Sequence, residues 1–322
     1  MRDEIRTLYR TFGPPKSMGV TPIDDAHPLF FLVRQFLNEV DLAILFNTKR
    51  CRYQCRFCAL PAQSSLTWID EDKVLSQFLY VINEARHALG VLNRITIANE
   101  GSVLDFDTFP REALEKIITY SEEILGLKKI VLETRMEFVN DEILNNIKSK
   151  TRRKIAILAG FETLDPEIRS NILGRRQDVS IFESGIEVLG RSKTDLIAYV
   201  LYKPSPLMTD SAARIEASTT IDFLAAACKR NGVNLTIRLN PMYAATGTPW
   251  HDEAMAAGDA YSPPLLSDVV EVAKEKRARG IPVYLGLTSE GRATNNTTYK
   301  AHPGHTKESL KQAISMNMSL AG

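Results

Sequence analysis

Val40-Asp41-Leu42-Ala43-Ile44-Leu45-Phe46 leads into a connection that carries Cys51-Arg52-Tyr53-Gln54-Cys55-Arg56-Phe57-Cys58. The first stretch is a nearly continuous apolar run of strand length, as expected for a parallel strand covered on both faces. The second packs three of the chain's four cysteines into eight residues. The connection as a whole, residues 47–70, exceeds the roughly two to six residues usual in compact α/β units; longer connections tend to be functional or disordered.

Downstream the pattern repeats. Residues 71–89 place Val74, Leu75, Phe78, Leu79, Ile82, Ala85 and Leu89 on one helical face, and Gly90 ends the helix. Strands are predicted at 94–98, 129–133, 155–161, 196–202 and 233–238, with helices at 110–125, 140–149, 165–190, 210–229 and 267–279 between and after them. A last strand-like piece is 281–287. Strict alternation implies parallel strands with right-handed crossovers. Six or seven units fall short of the closed eight-fold barrel. The expected fold class is therefore α/β, a partial (β/α)6 TIM-like barrel of parallel strands. No linker divides it, so the barrel is placed at 40–287, after a lead-in at 1–39 and before an extension at 288–322. Within the lead-in, residues 29–37 read as a short helix packing on the main body.

The 322 residues are 44% hydrophobic and 25% charged, as in soluble globular proteins. A chain of this size buries a large core without disulfides. The formal net charge of +1 gives no pull toward nucleic acid or membrane. No apolar run reaches bilayer length, and the first residues lack the apolar region of a signal peptide. Three clustered cysteines and a fourth far away do not form a disulfide framework. The expected compartment is a reducing cytoplasm.

In parallel barrels the chemistry sits at the C-terminal ends of the strands. Polar residues collect there: the three cysteines, then Asn99, Glu100, Gly101 and Ser102, then Glu133, Thr134 and Arg135, then Glu162 and Thr163, then Lys203, then Arg238 and Asn240. A glycine in such a loop lets a ligand approach the backbone. Each residue also has a bland account. Glu133 and Arg135 can pair with one another, and Lys203, before Pro204, can be a solvated loop residue.

Three thiols do not close a structural zinc site, which takes four ligands. Cys228, the remaining cysteine, lies on a predicted helix, where a small buried hydrophobe is the ordinary role. Thiolates are also the usual ligands of iron–sulfur clusters, and three of them leave one iron of a cubane for another ligand. Phe57 stands ready to shield a cluster or pack on a ligand. A zinc-stabilised binding protein without radical chemistry is the rival of another class.

Cys51-x-x-x-Cys55-x-x-Cys58, with an aromatic before the last cysteine and after the first strand of a βα series, resembles the radical S-adenosylmethionine (SAM) superfamily. The resemblance covers residues 40–287. It implies a [4Fe–4S] cluster on Cys51, Cys55 and Cys58, with SAM chelated at the open iron by its amino and carboxylate groups. One electron then cleaves the sulfonium, and the 5′-deoxyadenosyl radical abstracts hydrogen from a substrate. An external electron donor such as flavodoxin or ferredoxin is implied. The family's Gly-Gly-Glu stretch contacts the SAM amino group; here the position reads Asn99-Glu100-Gly101-Ser102, which leaves backbone carbonyls for that work. Glu162 matches the ribose-holding position. Arg135 or Arg238 would meet the SAM carboxylate, and Phe57, Glu133 and Asn240 complete the cofactor-side set. Lys203 and Tyr199 are assigned to substrate-side chemistry.

Leu132-Glu133-Thr134-Arg135-Met136-Glu137-Phe138-Val139, Gly160-Phe161-Glu162-Thr163-Leu164-Asp165, Asn171-Ile172-Leu173-Gly174-Arg175 and Tyr199-Val200-Leu201-Tyr202-Lys203-Pro204 are similar to the branch of tRNA-acting and methylthio-transferring members. They look closest to the archaeosine-forming radical SAM lyase. Yet the one dense basic run, residues 148–154, falls at the barrel end away from the cysteines and reads as a solvated turn. The expected substrate is a small molecule: a nucleoside, nucleotide or sugar derivative in a biosynthetic pathway. The reaction would end in C–O or C–N cleavage, rearrangement or sulfur insertion; tRNA is the alternative substrate. The segment around His302 and His305 reads as a mobile tail, and residues 240–265 read as a loop.

Overall fold

The computed structural model describes residues 11–12, 24–53, 55–62, 64–288 and 293–320. The chain divides into two compact units.

The first unit is Met1–Tyr53, Leu60–Ala159 and Glu187–Asp195. It holds β1 (Thr11–Phe12), β2 (Phe30–Phe36), β3 (Glu39–Phe46), β4 (Arg94–Asn99), β5 (Lys129–Glu133) and most of β6 (Lys154–Glu162). β1, β2 and β3 pair antiparallel, with Thr11 opposite Leu32 and Phe30 opposite Leu45. From β3 onward the pairing is parallel, with Asp41 opposite Arg94, Arg94 opposite Lys129 and Lys129 opposite Lys154. Every residue of β4 is buried, the condition its unbroken apolar run anticipates. The connecting helices are α1 (Glu71–Glu84), α2 (Arg111–Ser121) and α3 (Asp141–Ser149). The Asp70 and Asn140 side chains cap α1 and α3, accepting from the amides of Lys73 and Ile143. Val74, Phe78 and Val81 form the buried face of α1.

Residues 29–37 are not a helix. They form β2, whose Phe31, Val33 and Phe36 are buried. Leu37, at φ 54°, turns the chain back into β3. A short dense apolar run fits either period, and partner β3, which offers a full register, decides it.

β3 and β4 also bury a charge. Asp41 and Arg94 are both fully buried, their side chains 3.5 Å apart. Arg34 Nε donates to Asp41 at 2.9 Å and Thr96 Oγ1 at 2.8 Å. Burial pushes the Asp41 carboxyl up, but Arg94 and Arg34 outweigh it and hold it below the ordinary carboxylate range. A depressed folded-state pKa stabilises the fold above the unfolded value of about 4, and that share is lost as pH falls through the lower folded value. Asp41→Ala removes the fully buried partner of Arg94, leaving it Glu39 at 3.4 Å, and is expected to lower stability by about 3 kcal/mol at neutral pH. The deficit should shrink in acid, which urea titrations of both proteins across pH check.

The second unit is Gln54–Ala59, Gly160–Ile186 and Leu196–Gly322. β7 (Asp195–Tyr202), β8 (Leu235–Pro241) and β9 (Val283–Leu285) pair parallel, with Tyr199 opposite Arg238 and Arg238 opposite Tyr284. One face of these strands, including Val200, Ile237, Leu239, Val283 and Leu285, is fully buried. The other carries Tyr199, Arg238, Asn240 and Tyr284, all half-buried. The helices here are α4 (Val179–Arg191), which runs on past the unit boundary, then α5 (Asp210–Arg230), α6 (Pro249–Ala256), α7 (Leu266–Ala278) and α8 (Lys307–Met318).

Three expectations change in this unit. Residues 240–265 contain α6, with Thr248 as its cap and Pro249 at its first position. The predicted helix at 165–190 starts as expected, the Asp165 carboxylate accepting from Glu167 N and Ile168 N at 2.9 Å. It then forms a π-helical turn, Ile168–Ile172, breaks at Gly174 (φ 60°) and resumes as α4. The segment around His302 is built in: its Nε2 stands 3.2 Å from Asp210 Oδ2, and α8 follows.

β3 to β8 are each followed by helical segments, giving six parallel strand–helix units and the final strand β9. The fold class is α/β, the partial (β/α)6 TIM-like barrel of parallel strands. Among the described residues no helix is long and apolar enough to cross a membrane.

Candidate active site

In the first unit, the site residues follow β3, β4 and β5. Asn99, at the end of β4, donates to Thr48 Oγ1 at 3.0 Å and accepts from Gly101 N at 3.1 Å. Ser64 donates to the buried Glu100 carboxylate. Ser102 Oγ accepts from Arg135 N at 2.7 Å and from Thr134 Oγ1 at 3.1 Å. The Glu133 carbonyl accepts from Val103 N at 3.0 Å. Side chains of the Asn99–Ser102 turn thus tie it to the segments around Thr48, Ser64 and Thr134. Gly101 abuts the cysteine loop: a Cβ there would stand 3.2 Å from Cys51 Cβ and 3.4 Å from Cys51 Sγ.

Two arginines brace the same end of the loop. Arg52 forks onto Asp105 at 2.6 and 3.0 Å and reaches Asp107 at 2.6 Å. The Arg135 guanidinium lies 3.7 Å from the Tyr53 ring centroid and bonds Glu137. Burial, and next the Glu137 charge, pushes the Tyr53 phenol up. Glu137, two residues on, is a carboxylate partner of Arg135.

In the second unit, the chain from Cys55 to Cys58 is docked on its own backbone. Cys58 N donates to Cys55 O at 3.1 Å, Arg56 N to Leu173 O at 2.8 Å, and Trp250 N to Arg56 O at 3.1 Å. The Arg56 side chain bonds Glu253 of α6 and crosses Gly174, where a Cβ would stand 2.8 Å from Arg56 Cγ. Phe57 packs against a buried cluster that includes Ile168, Leu173, Leu201, Met242 and Trp250. Arg56 and Glu253 were not singled out in the sequence, and Trp250 stood out only as one of the aromatics of the 240–265 stretch; the Thr248-Pro249 helix start was the available signal.

Glu162 ends β6 at φ 71°, a left-handed backbone that a non-glycine residue adopts only under constraint. Its carboxylate accepts from Arg175 Nη1 at 3.1 Å and covers Gly160, where a Cβ would stand 2.1 Å from Oε1. Lys203 directly follows β7 at φ 65° and is not solvated: it is 3% exposed. It donates to Asp210 at 2.6 Å and to Ser262 Oγ at 2.9 Å. Burial raises the Asp210 carboxyl, but Lys203 and His302 together hold it below its ordinary value. Tyr199 has a different partner, its hydroxyl accepting from Arg238 Nη1 at 3.0 Å. Asn240 lies across Gly286.

Cys51, Cys55 and Cys58 are all partly exposed, whereas Cys228 is 1% exposed within α5. Burial pushes the Cys228 thiol up to about 12, so it stays protonated and apolar. A fourth thiolate for a closed zinc site is thus not supplied by Cys228. Part of the basic run is tied into the fold: Lys150 pairs with Glu115, Arg153 with Glu122, and Lys148 donates to the carbonyls of Ser192 and Lys193.

No family model matches the chain. Uncharacterized protein MJ0550 of Methanocaldococcus jannaschii is 26% identical over 250 residues, which cover 76% of this chain and 66% of that protein. Among solved structures, SuiB of Streptococcus suis superposes with a TM-score of 0.53 at 10% identity, over 80% of this chain and 51% of SuiB. Methylornithine synthase (PylB) gives 0.51 at 13% identity, over 90% and 84% of the two chains. Spore photoproduct lyase gives 0.51 at 14%, over 74% and 75%. The chain therefore spans about half the length of SuiB. These likenesses define the class of fold, the partial barrel described above.

Proposed function

We propose that the chain is a radical SAM enzyme whose Cys51, Cys55 and Cys58 hold a [4Fe–4S] cluster. The observation that carries this is the donor set: three partly exposed thiols in one short loop, and a fourth cysteine withdrawn into α5. Such a set fits a cluster with one iron open to SAM. When bound, the cluster supplies the electron that splits SAM into methionine and a 5′-deoxyadenosyl radical, which takes hydrogen from the substrate. SuiB, which shares the fold, has been captured with S-adenosylmethionine, in keeping with this reading.

The chain's own residues hold and aim these groups. Gly101 leaves Cys51 its place, and the main chain of Asn99–Ser102, with its side chains bonded to neighbouring segments, receives the SAM amino group. Glu162, fixed by Arg175, holds the ribose. Arg135 and Arg52 stiffen the cysteine loop from one end, and Arg56, Phe57 and Trp250 from the other. Residues 40–287 form the catalytic barrel, with 1–39 and 288–322 as additions. The electron comes from a flavodoxin or ferredoxin. A small biosynthetic intermediate, a nucleoside, nucleotide or sugar derivative, is the substrate, a reading favoured over tRNA by the formal net charge of only +1.

Anaerobic reconstitution with iron and sulfide tests the reading. A brown protein with about four irons per chain is expected. A colourless chain that takes up a single zinc instead would overturn it.

A further inference from the structure

The half-buried face of β7, β8 and β9 carries an arginine with no counter-charge among the described residues. Arg238 lies between two rings, its guanidinium 4.8 Å from the Tyr199 centroid and 5.9 Å from that of Tyr284. Nη1 donates to the Tyr199 hydroxyl, whereas Nε is buried and makes no hydrogen bond among the described residues. Among those residues no carboxylate lies within ion-pair distance of it. Arg94 and Arg175, which are more deeply buried, each have a carboxylate, Asp41 and Glu162, and the half-buried Arg277 donates to the carbonyls of Val283, Met316 and Ser319. An ionised guanidinium shielded from water and unpaired is unfavourable, and the Nε–Nη2 edge is the fork that grips a carboxylate or phosphate in two parallel bonds.

Two residues further along β8, on the same face, is Asn240. Its Oδ1 is buried without a donor, and it lies so close over Gly286 that a Cβ there would be 1.8 Å away. A buried carbonyl oxygen without a partner is again unfavourable. Residues two apart on a strand stand about 7 Å from each other. The face therefore offers a two-pronged cation and, one step away, a lone acceptor, flanked by two aromatic rings.

We infer that this face binds the substrate, and that the substrate is a small molecule carrying a carboxylate or phosphate together with an amine, amide or hydroxyl donor. The anion sits on the Nε–Nη2 edge of Arg238, and the donor meets Asn240 Oδ1. Naming the ligand a substrate rests on the radical SAM reading; anion binding at Arg238 does not.

Calorimetric titration of the intact reconstituted chain with inorganic phosphate is the test. One saturable site is expected, weakened about tenfold or more in Arg238→Gln. Arg238→Lys, which keeps the charge and loses the fork, should fall between the two. Phosphoethanolamine, which adds an amine, should bind more tightly than phosphate, with the advantage lost in Asn240→Ala. Unchanged phosphate binding in both Arg238 variants would overturn the site. Competition between S-adenosylhomocysteine and phosphate would also overturn it, by giving the arginine to the cofactor. A colourless protein that still binds phosphate through Arg238 supports the anion site while sinking the radical reading. A brown protein without the phosphate site does the reverse.

Discussion

Cys55→Ala is expected to end 5′-deoxyadenosine formation altogether and to leave the reconstituted chain with little bound iron. The turn from Cys55 to Cys58 is closed by its own backbone bond, and the intervening Arg56 is docked on Leu173 and Trp250 through its main chain. That backbone survives the substitution, so the loop keeps its path and loses one ligand. Two thiolates do not grip a cubane. Cys228 cannot step in, since burial keeps its thiol protonated within α5. Iron per chain, visible absorption and mass spectrometry of the nucleoside read the outcome separately. Continued 5′-deoxyadenosine formation would contradict the cluster assignment.

Trp250→Ala is expected to destabilise the fold about as much as Asp41→Ala. The indole is 1% exposed. It sits at the centre of the cluster that receives Phe57, donates to Pro204 O at 2.9 Å, and meets the Tyr261 ring edge-on at 6.0 Å. Emptying such a site removes about 3–5 kcal/mol, a drop in melting temperature on the order of 10 °C. The loss falls on the wall against which Cys55–Cys58 is laid, so iron should also be released at lower temperature than in the parent. Trp250→Phe keeps most of the packing and strands the Pro204 carbonyl, for a smaller loss of about 1–3 kcal/mol. Parallel melts followed by circular dichroism and by iron absorption check both. An alanine variant that melts and releases iron like the parent would remove Trp250 from any supporting role.

The barrel strands were legible because each is an apolar run closed by polar or glycine punctuation, and that code is local. Residues 29–37 defeated it because an apolar run of that length fits a helix or a strand equally, and only pairing with β3 settles the matter. α6 was announced by Thr248 and Pro249 but hidden among prolines and aromatics that read as a loop. Of the site, the cysteines are a contiguous motif and could be read directly. The pairing of Arg175 with Glu162, or of His302 with Asp210, could not. Such contacts join positions separated by 13 to 92 residues, and no periodicity encodes them. Lys203 shows the same limit: before Pro204 it looked solvated, and Asp210 and Ser262 enclose it.

Glu162 and Lys203 both stand where glycine would sit more comfortably, at φ 71° and 65°. Left-handed backbone disfavours a side chain by roughly 1 kcal/mol or more per residue. The ends of β6 and β7 are therefore tuned against ease of folding. Glycine at 162 or 203 would relax that backbone but leave Arg175 or Asp210 without its buried partner, a loss larger than the relief. The strained backbone is thus kept in place by the same charged groups on which the proposed chemistry depends.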